Sequence, residues 1–146
     1  MEKKACLLIE FIHQYARMGF PEKRMRKIAA SISADFRIPR RTSISVVLCS
    51  DAVIRRLNRT YRRKDRPTDV LSFPFNDADL LGEIYISLPR CAVQARRYGG
   101  TFDQEVARIF VHGMVHLLGY DHHLARERTA MEKVEARYAR RSGSRC

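Results

Sequence analysis

Cysteine is sparse in this sequence, and the four cysteines form no closely spaced pair. A C-x-x-C pair is typical of thiolate zinc sites, and regularly spaced cysteines are typical of disulfide-rich secreted proteins. Cys6, Cys49, Cys91 and Cys146 lie too far apart along the chain for either class. We therefore expect reduced cysteines, of which the first three are packing residues.

Long apolar runs are also lacking. No stretch approaches the roughly 20 apolar residues that a membrane-spanning helix needs. The apolar run near the start reaches only Ile9 before Glu10 breaks it, which is too short for a signal peptide. Repeats and low-complexity tracts are absent too, and an apolar fraction of 45% is that of a folded protein. We expect one domain over residues 1–146, with a frayed tail at 142–146, in the cytoplasm and away from membranes.

Acidic residues are few relative to basic ones. The chain has 28 Lys+Arg against 16 Asp+Glu, which gives a formal net charge of +12. Such an excess attracts phosphate backbones but does not by itself distinguish RNA from DNA or acidic lipid. Much of it is ordinary helix surface. One basic cluster directly precedes a predicted strand, and we expect it to contact phosphate; it consists of Arg59, Arg62, Arg63, Lys64 and Arg66.

Three of the five histidines fall into the pattern H-x-x-x-H-x-x-G-x-x-H. His112 and His116, four residues apart on a helix, share one face and can reach one ion. Gly119 can adopt the left-handed conformation that ends a helix, so that His122 returns toward them. Three protein ligands leave a fourth position open, as in catalytic zinc sites. We predict one zinc ion per chain, with nickel or another divalent transition metal as alternatives.

A glutamate is missing from this histidine pattern. Metzincin proteases have the same spacing, with a glutamate after the first histidine as general base. Here Gly113 stands at that position, so a protease assignment loses its main support. A glycine inside a helix costs about 1 kcal/mol relative to alanine. We therefore expect a strand or substrate to approach the helix closely at Gly113.

Three blocks of the sequence are similar to one known family. Residues 112–122 fit H-G-x-x-H-L-x-G-Y-D-H, and residues 57–74 fit L-N-x-x-Y-R-x-K-x-x-P-T-D-V-L-S-F-P. Residues 81–87 fit L-G-D-I-x-I-S more weakly, with Glu83 where aspartate is usual. In these blocks the chain resembles the YbeY-type endoribonucleases, bacterial factors of ribosomal RNA maturation.

The resemblance implies a fold and a function. The fold is α+β and zincin-like, a small mixed sheet packed with about five helices, in which the metal-binding helix is central. A sheet edge, at Phe73 or Glu83, borders the metal cleft. The implied function is metal-dependent cleavage of single-stranded regions of ribosomal RNA, in 16S 3′-end processing and ribosome quality control. Small-subunit ribosomal RNA is the expected partner, with ribosomal proteins or assembly GTPases as further candidates.

The site residues follow from the motifs and from this resemblance. We assign catalysis to Arg62 and His112, because a guanidinium can hydrogen-bond two phosphate oxygens and stays charged. Asp121 is expected to orient the imidazole of His122. The general base is left open: Glu83 is a weak candidate for it, and a 2′-hydroxyl of the RNA could attack the phosphate in place of water. The candidate substrate-binding residues are Arg59, Arg63, Lys64, Arg66, Ser72 and Glu83.

Periodicity and capping signals predict the order of the elements. The predicted strands are Ala5–Ile12, Ser43–Cys49, Val70–Phe73 and Glu83–Ser87, the last two forming a hairpin. The predicted helices are Pro21–Asp35, Asp51–Tyr61, one from Pro89 to Gly99, one capped by Thr101 and Gln104 that ends near Leu118, and Leu124–Arg140.

Two other functions fit parts of the sequence. A non-catalytic assembly factor could use a metal-stabilised fold and a basic surface to hold ribosomal RNA, and it would bind without turnover. A metal-dependent hydrolase of peptides or esters would fit the histidine spacing but leaves the arginine-rich block unexplained.

Overall fold

The structure is a computed structural model, and it describes residues 7–39, 41–75, 77, 79–119, 132–133 and 136–138. The strands are β1 (Leu8–His13), β2 (Ser43–Cys49), β3 (Val70–Pro74) and β4 (Leu80–Ser87). The helices are α1 (Glu22–Asp35), α2 (Asp51–Arg62), α3 (Leu88–Tyr98) and α4 (Phe102–Leu117).

The four strands form one mixed sheet in the order β1-β2-β4-β3. β1 and β4 both run parallel to β2, whereas β3 runs antiparallel to β4, as the predicted hairpin requires. β4 begins at Leu80 rather than at Glu83 as expected, because a register shift between Ser43 and Ile44 lets the strand continue through Gly82. Among the residues that the structure describes, β3 is therefore an edge strand that pairs with β4 alone.

The two faces of the sheet carry different helices. Alternate side chains of a strand point to opposite faces, and Ile84 and Ile86 of β4 join the main core with α1, α3 and α4. Leu71 of β3 joins a smaller cluster with Ile54 of α2 on the other face. The predicted α+β fold is confirmed, and α2 packs on the face opposite the main core, where Asp51 at its start pairs with Arg90 of α3 at 2.8 Å.

α4 is the central helix, as predicted. Thr101 accepts a hydrogen bond from the backbone N–H of Gln104, whose side chain accepts one from the N–H of Thr101, so the predicted capping box is present. The apolar residues of α4 from Val106 to Leu117 are buried. Gly119 has φ 102°, and its N–H donates to the carbonyl of His116. The expected left-handed glycine therefore follows the end of the helix.

The start of α3 differs from the prediction by one residue, whereas two buried cysteines agree with it. α3 begins at Leu88 rather than at Pro89, because Ser87 caps it by accepting from the N–H of Arg90. Cys49 and Cys91 are fully buried, and burial raises the pKa of the Cys49 thiol to about 12 and that of Cys91 still further. Both are packing residues, as expected; Cys6 and Cys146 lie outside the described residues.

The predicted last helix, 124–140, lies mostly outside the described residues. Its described residues, 132–133 and 136–138, are helical. Tyr138 is buried, and its hydroxyl donates to the Asp35 carboxylate at the end of α1. This contact attaches the C-terminal part of the chain to the main core. Within the described ranges, no helix is long and apolar enough to cross a membrane.

Candidate active site

A cavity of about 350 Å³ opens between the end of α2, the loop that follows it, β3 and α4. This volume is within the usual range of small-molecule sites. Six residues that the sequence singled out line it, namely Arg62, Lys64, Arg66, Ser72, His112 and His116. The remaining lining residues are Asn58, Pro67, Thr68, Val70 and Leu71. The structure thus brings the arginine-rich block and the first two histidines of the motif to one cleft, although they are far apart in sequence.

α4 presents two imidazoles to the cavity. The ring centroids of His112 and His116 are 4.8 Å apart, because one helical turn separates the residues. Two adjacent nitrogen donors fit a divalent transition metal, to which a third ligand must be added. The predicted third ligand, His122, and the predicted orienting residue, Asp121, lie outside the described residues. Among the residues that are described, no three His, Cys, Asp or Glu side chains cluster as a metal site.

The sheet approaches α4 closely at Gly113. A Cβ added there would lie 2.9 Å from Cγ2 of Ile84 and 3.3 Å from Oγ of Ser72. The Ser72 hydroxyl donates to the Gly113 carbonyl at 3.1 Å. The expected close approach of a strand is confirmed. This contact sets the separation between the two histidines and β3, so β3 rather than Glu83 borders the cleft.

Arg62, the last residue of α2, reaches over the edge of the sheet. Its Nη2 donates to the carbonyl of Ser72 at 2.9 Å, and its guanidinium carbon lies 5.5 Å from the ring centroid of Phe73. Across the described part of the chain, no carboxylate lies within ion-pair distance of Arg62, so a structural salt bridge does not account for it there. One of its five N–H donors is used in this bond, which leaves others for a phosphate in the cavity.

The basic loop after α2 is held by a residue to which the sequence analysis gave no role. Asn58 is buried, and its side-chain N–H donates to the backbone carbonyl of Arg66 at 2.9 Å. The backbone carbonyl of Asn58 accepts from the N–H of Lys64. Arg63 turns the chain between them in the left-handed conformation, with φ 60°. The sequence contains a signal for this role. Asn58 lies four residues after the apolar Ile54 and therefore on the same face of α2, and a polar side chain on a buried face needs a hydrogen-bond partner.

Not every predicted residue reaches the cavity. Arg59 lies 3.5 Å from the carboxylate of Asp65, which Arg55 also binds. Arg63 is the left-handed residue that ends α2. Glu83 accepts a hydrogen bond from the Tyr85 hydroxyl on the face of the sheet opposite α4, because its neighbour Ile84 faces that helix. The structure therefore does not bring Arg59, Arg63 or Glu83 together with the histidines.

A partly buried amide connects the loop beside the cleft to α3 and α4. The side-chain N–H groups of Gln94 on α3 donate to Asp69 at 3.2 Å and to Glu105 of α4 at 2.8 Å. Asp69 also accepts from the hydroxyl of Thr68, which lines the cavity. Gln94 thus connects the loop before β3 to α4, in addition to the direct hydrogen bond between Ser72 of β3 and Gly113 of α4. Gln94 carried no recognisable signal in the sequence.

The chain is similar to known proteins. A sequence model described as Endoribonuclease YbeY matches residues 13–143. The chain belongs to the endoribonuclease YbeY family. A relative of that name from Halalkalibacterium halodurans is 38% identical over 135 residues, 83% of this chain and 75% of the relative. Others are 47% identical over 95 residues in Carboxydothermus hydrogenoformans (63% and 66%) and 52% identical over 83 in Aquifex aeolicus (54% and 55%). The chain therefore spans between about half and three quarters of these YbeY proteins.

A solved structure agrees with the YbeY assignment. The solution structure of a Thermotoga maritima protein aligns with a TM-score of 0.65 and 28% sequence identity, covering 92% of this chain and 89% of that one. The predicted family and fold are confirmed, and so is the class of enzyme, an endoribonuclease. The metal, the site residues and the particular RNA remain predictions.

Gly113→Ala tests the packing of the YbeY histidine helix. Helix propensity alone would stabilise the variant by about 1 kcal/mol, but overpacking against Ile84 costs about 1–3 kcal/mol. We expect a Tm that is unchanged or lower by up to about 8 °C, together with slower RNA cleavage. The control is Gly19→Ala, whose added Cβ meets nothing within 4 Å and which should be neutral or slightly stabilising. A raised Tm in Gly113→Ala, measured by calorimetry, would contradict the close approach.

Proposed function

We propose that this chain is a metal-dependent endoribonuclease that cleaves single-stranded regions of ribosomal RNA in the cytoplasm. One observation carries the proposal: Arg62 and two histidines with metal-ligand spacing line the same basic cavity. His112, His116 and His122 are the ligands we assign to a zinc ion. The expected substrate is small-subunit ribosomal RNA near the 16S 3′ end, and ribosomal proteins or assembly GTPases are candidate partners.

Each side chain in the cleft has a distinct proposed role. Lys64 and Arg66 attract and hold the RNA backbone beside Arg62, which donates to the phosphoryl oxygens as their charge increases. Ser72 fixes the guanidinium through its carbonyl and α4 through its hydroxyl, so the two parts of the site keep their separation. Zinc bound to the imidazoles would supply Lewis acidity toward a phosphoryl oxygen. Asp121 is proposed to orient the ring of His122.

The geometry argues against a peptidase. A Cβ at Gly113 already approaches Ile84 within 2.9 Å, so the glutamate of metzincin proteases has no room here without a shift of β4 or α4. Peptides can also bind by adding a strand to a free sheet edge. The carbonyl of Asp69 and the N–H of Phe75 make hydrogen bonds to β4. Because residues that bond to the partner alternate with residues that do not along an antiparallel strand, the carbonyl of Ser72 points away from β4, toward the free edge. Arg62 already occupies that carbonyl.

The proposal is tested with purified, zinc-loaded chain on three substrates: an unpaired ribosomal RNA fragment, the same fragment annealed to its complement, and a peptide library. We expect endonucleolytic cuts in the unpaired RNA, far fewer in the duplex, and none in the peptides. A chelator should stop cleavage, and added zinc should restore it. RNA binding without any cleavage by the metal-loaded chain would instead support the non-catalytic assembly factor.

A further inference from the structure

Three aromatic rings form a continuous strip on the α2 face of the sheet. The ring centroids of Tyr61 and Phe73 are 5.4 Å apart, and those of Phe73 and Tyr85 are 5.8 Å apart. Both pairs meet edge to face, at interplanar angles of 69° and 82°, which is a favoured geometry for aromatic pairs. We call Tyr61, Phe73 and Tyr85 the aromatic strip.

The inner end of the aromatic strip is fixed and its outer end is open. Phe73 and Tyr85 are partly buried and pack against the smaller core cluster. The Tyr85 hydroxyl donates to Glu83 at 3.2 Å. Tyr61, in contrast, is 64% exposed although its ring rests on Phe73. A large ring that is held in place and yet open to solvent can receive a flat ligand without first being ordered.

The aromatic strip lies directly across β3 from the proposed active site. Ser72 lines the cavity, and the next residue, Phe73, points to the opposite face of the sheet. Arg62 joins the two places, because it lines the cavity while its guanidinium carbon lies 5.5 Å from the Phe73 centroid. A polyanion that leaves the cavity past Arg62 therefore meets the exposed ring of Tyr61 next.

Charge around the aromatic strip indicates which flat ligand it takes. Arg59 and Arg62 lie within two residues of Tyr61 on α2, Arg59 also lying 3.5 Å from the Asp65 carboxylate, and the chain as a whole carries a net charge of +12. Aromatic rings set beside cationic groups are the usual means of binding single-stranded nucleic acid, in which bases stack on rings and phosphates contact the cations. Tyr61 and Arg62 supply both contacts from adjacent positions.

We propose that Tyr61, supported by Phe73 and Tyr85, is a stacking site for one unpaired base next to the nucleotide held in the cavity. The proposal rests on the endoribonuclease function above and extends it to how the substrate is chosen. A base inside a duplex has both of its faces covered by its neighbours, whereas an unpaired base can be splayed onto a side chain. The stacking site therefore favours single-stranded RNA over duplex RNA.

The test measures RNA affinity by fluorescence anisotropy, using the full chain, a labelled unpaired oligomer and its duplex. Loss of one base stack weakens binding by about 5- to 150-fold. Tyr61→Ala should therefore bind the unpaired oligomer at least about fivefold less tightly, with duplex affinity unchanged. Tyr61→Phe, which keeps the ring, should bind as wild type does. Tyr98→Ala is the matched control, because Tyr98 is 68% exposed on α3 and does not line the cavity.

A second substrate separates stacking from a general effect on the fold. An abasic site is placed at each position of the oligomer in turn. At one position the wild type should bind the abasic oligomer less tightly than the intact one, whereas Tyr61→Ala should bind both equally. Equal losses in Tyr61→Ala and Tyr98→Ala, or equal losses on duplex and unpaired RNA, would overturn the stacking site and leave the endoribonuclease proposal intact. A wild type that neither binds nor cleaves RNA would overturn both.

Discussion

Arg62→Ala is expected to lower kcat/KM for RNA cleavage about 100- to 1000-fold, the usual loss when one donor to a developing oxyanion is removed. The physical reason is the position of the guanidinium, which lines the cavity with both histidines and has no ion pair with a described carboxylate. Only one of its N–H groups is used by the Ser72 carbonyl. Metal content and Tm should change little, since the contacts that Arg62 makes are exposed.

Two further variants make the Arg62 result specific. Arg62→Lys keeps the charge but cannot hold two oxygens at once, so it should recover only part of the lost activity. Arg56→Ala removes the same charge from an exposed position of α2 outside the cavity and should cleave within about twofold of wild type, as expected for a mere surface charge. Undiminished cleavage by Arg62→Lys or Arg62→Ala would show that the guanidinium has no catalytic role.

His116→Ala is expected to abolish both metal binding and cleavage. Changing a residue that only supports a metal ligand weakens metal affinity about 10- to 100-fold, and loss of a ligand should weaken it further. Zinc content after dialysis should therefore fall from one ion per chain to near zero. Zinc that binds the native state also stabilises it, so the zinc-dependent rise in Tm that we expect of the wild type should be absent from the variant.

The control for the metal prediction is His13→Ala. His13 is an exposed histidine of β1 whose ring lies 3.4 Å from the Glu22 carboxylate, and it does not line the cavity. Its removal should leave zinc content and cleavage unchanged. If His116→Ala kept a full equivalent of zinc by mass spectrometry, the assigned ligands would be wrong, whatever happened to activity.

Much of the fold and one half of the cleft could be predicted because their signals are local. The capping box at Thr101 and the left-handed Gly119 bracket α4, and the spacing of His112 and His116 follows from one helical turn. The reason for Gly113 was also predictable in kind: a glycine costs stability in a helix, so something must need the space. None of these inferences required knowledge of a distant contact.

The other half of the cleft depends on contacts between distant segments. Ser72 reaches Gly113 across 41 residues, and Arg62 reaches Ser72 only because β3 pairs with β4 in one register. The choice between Phe73 and Glu83 as the border of the cleft had the same difficulty. It depends on which face each residue of β3 and β4 presents, and a shift by one residue reverses that choice.

The position of Arg62 also has a consequence for solubility. Unpaired backbone groups on an edge strand can recruit a strand from a second molecule, and natural proteins protect such edges with short strands, charged side chains and proline. β3 has only five residues and ends at Pro74, and the guanidinium of Arg62 covers the outward carbonyl of Ser72 at its centre. The side chain assigned to catalysis thereby also guards the chain against edge-to-edge aggregation.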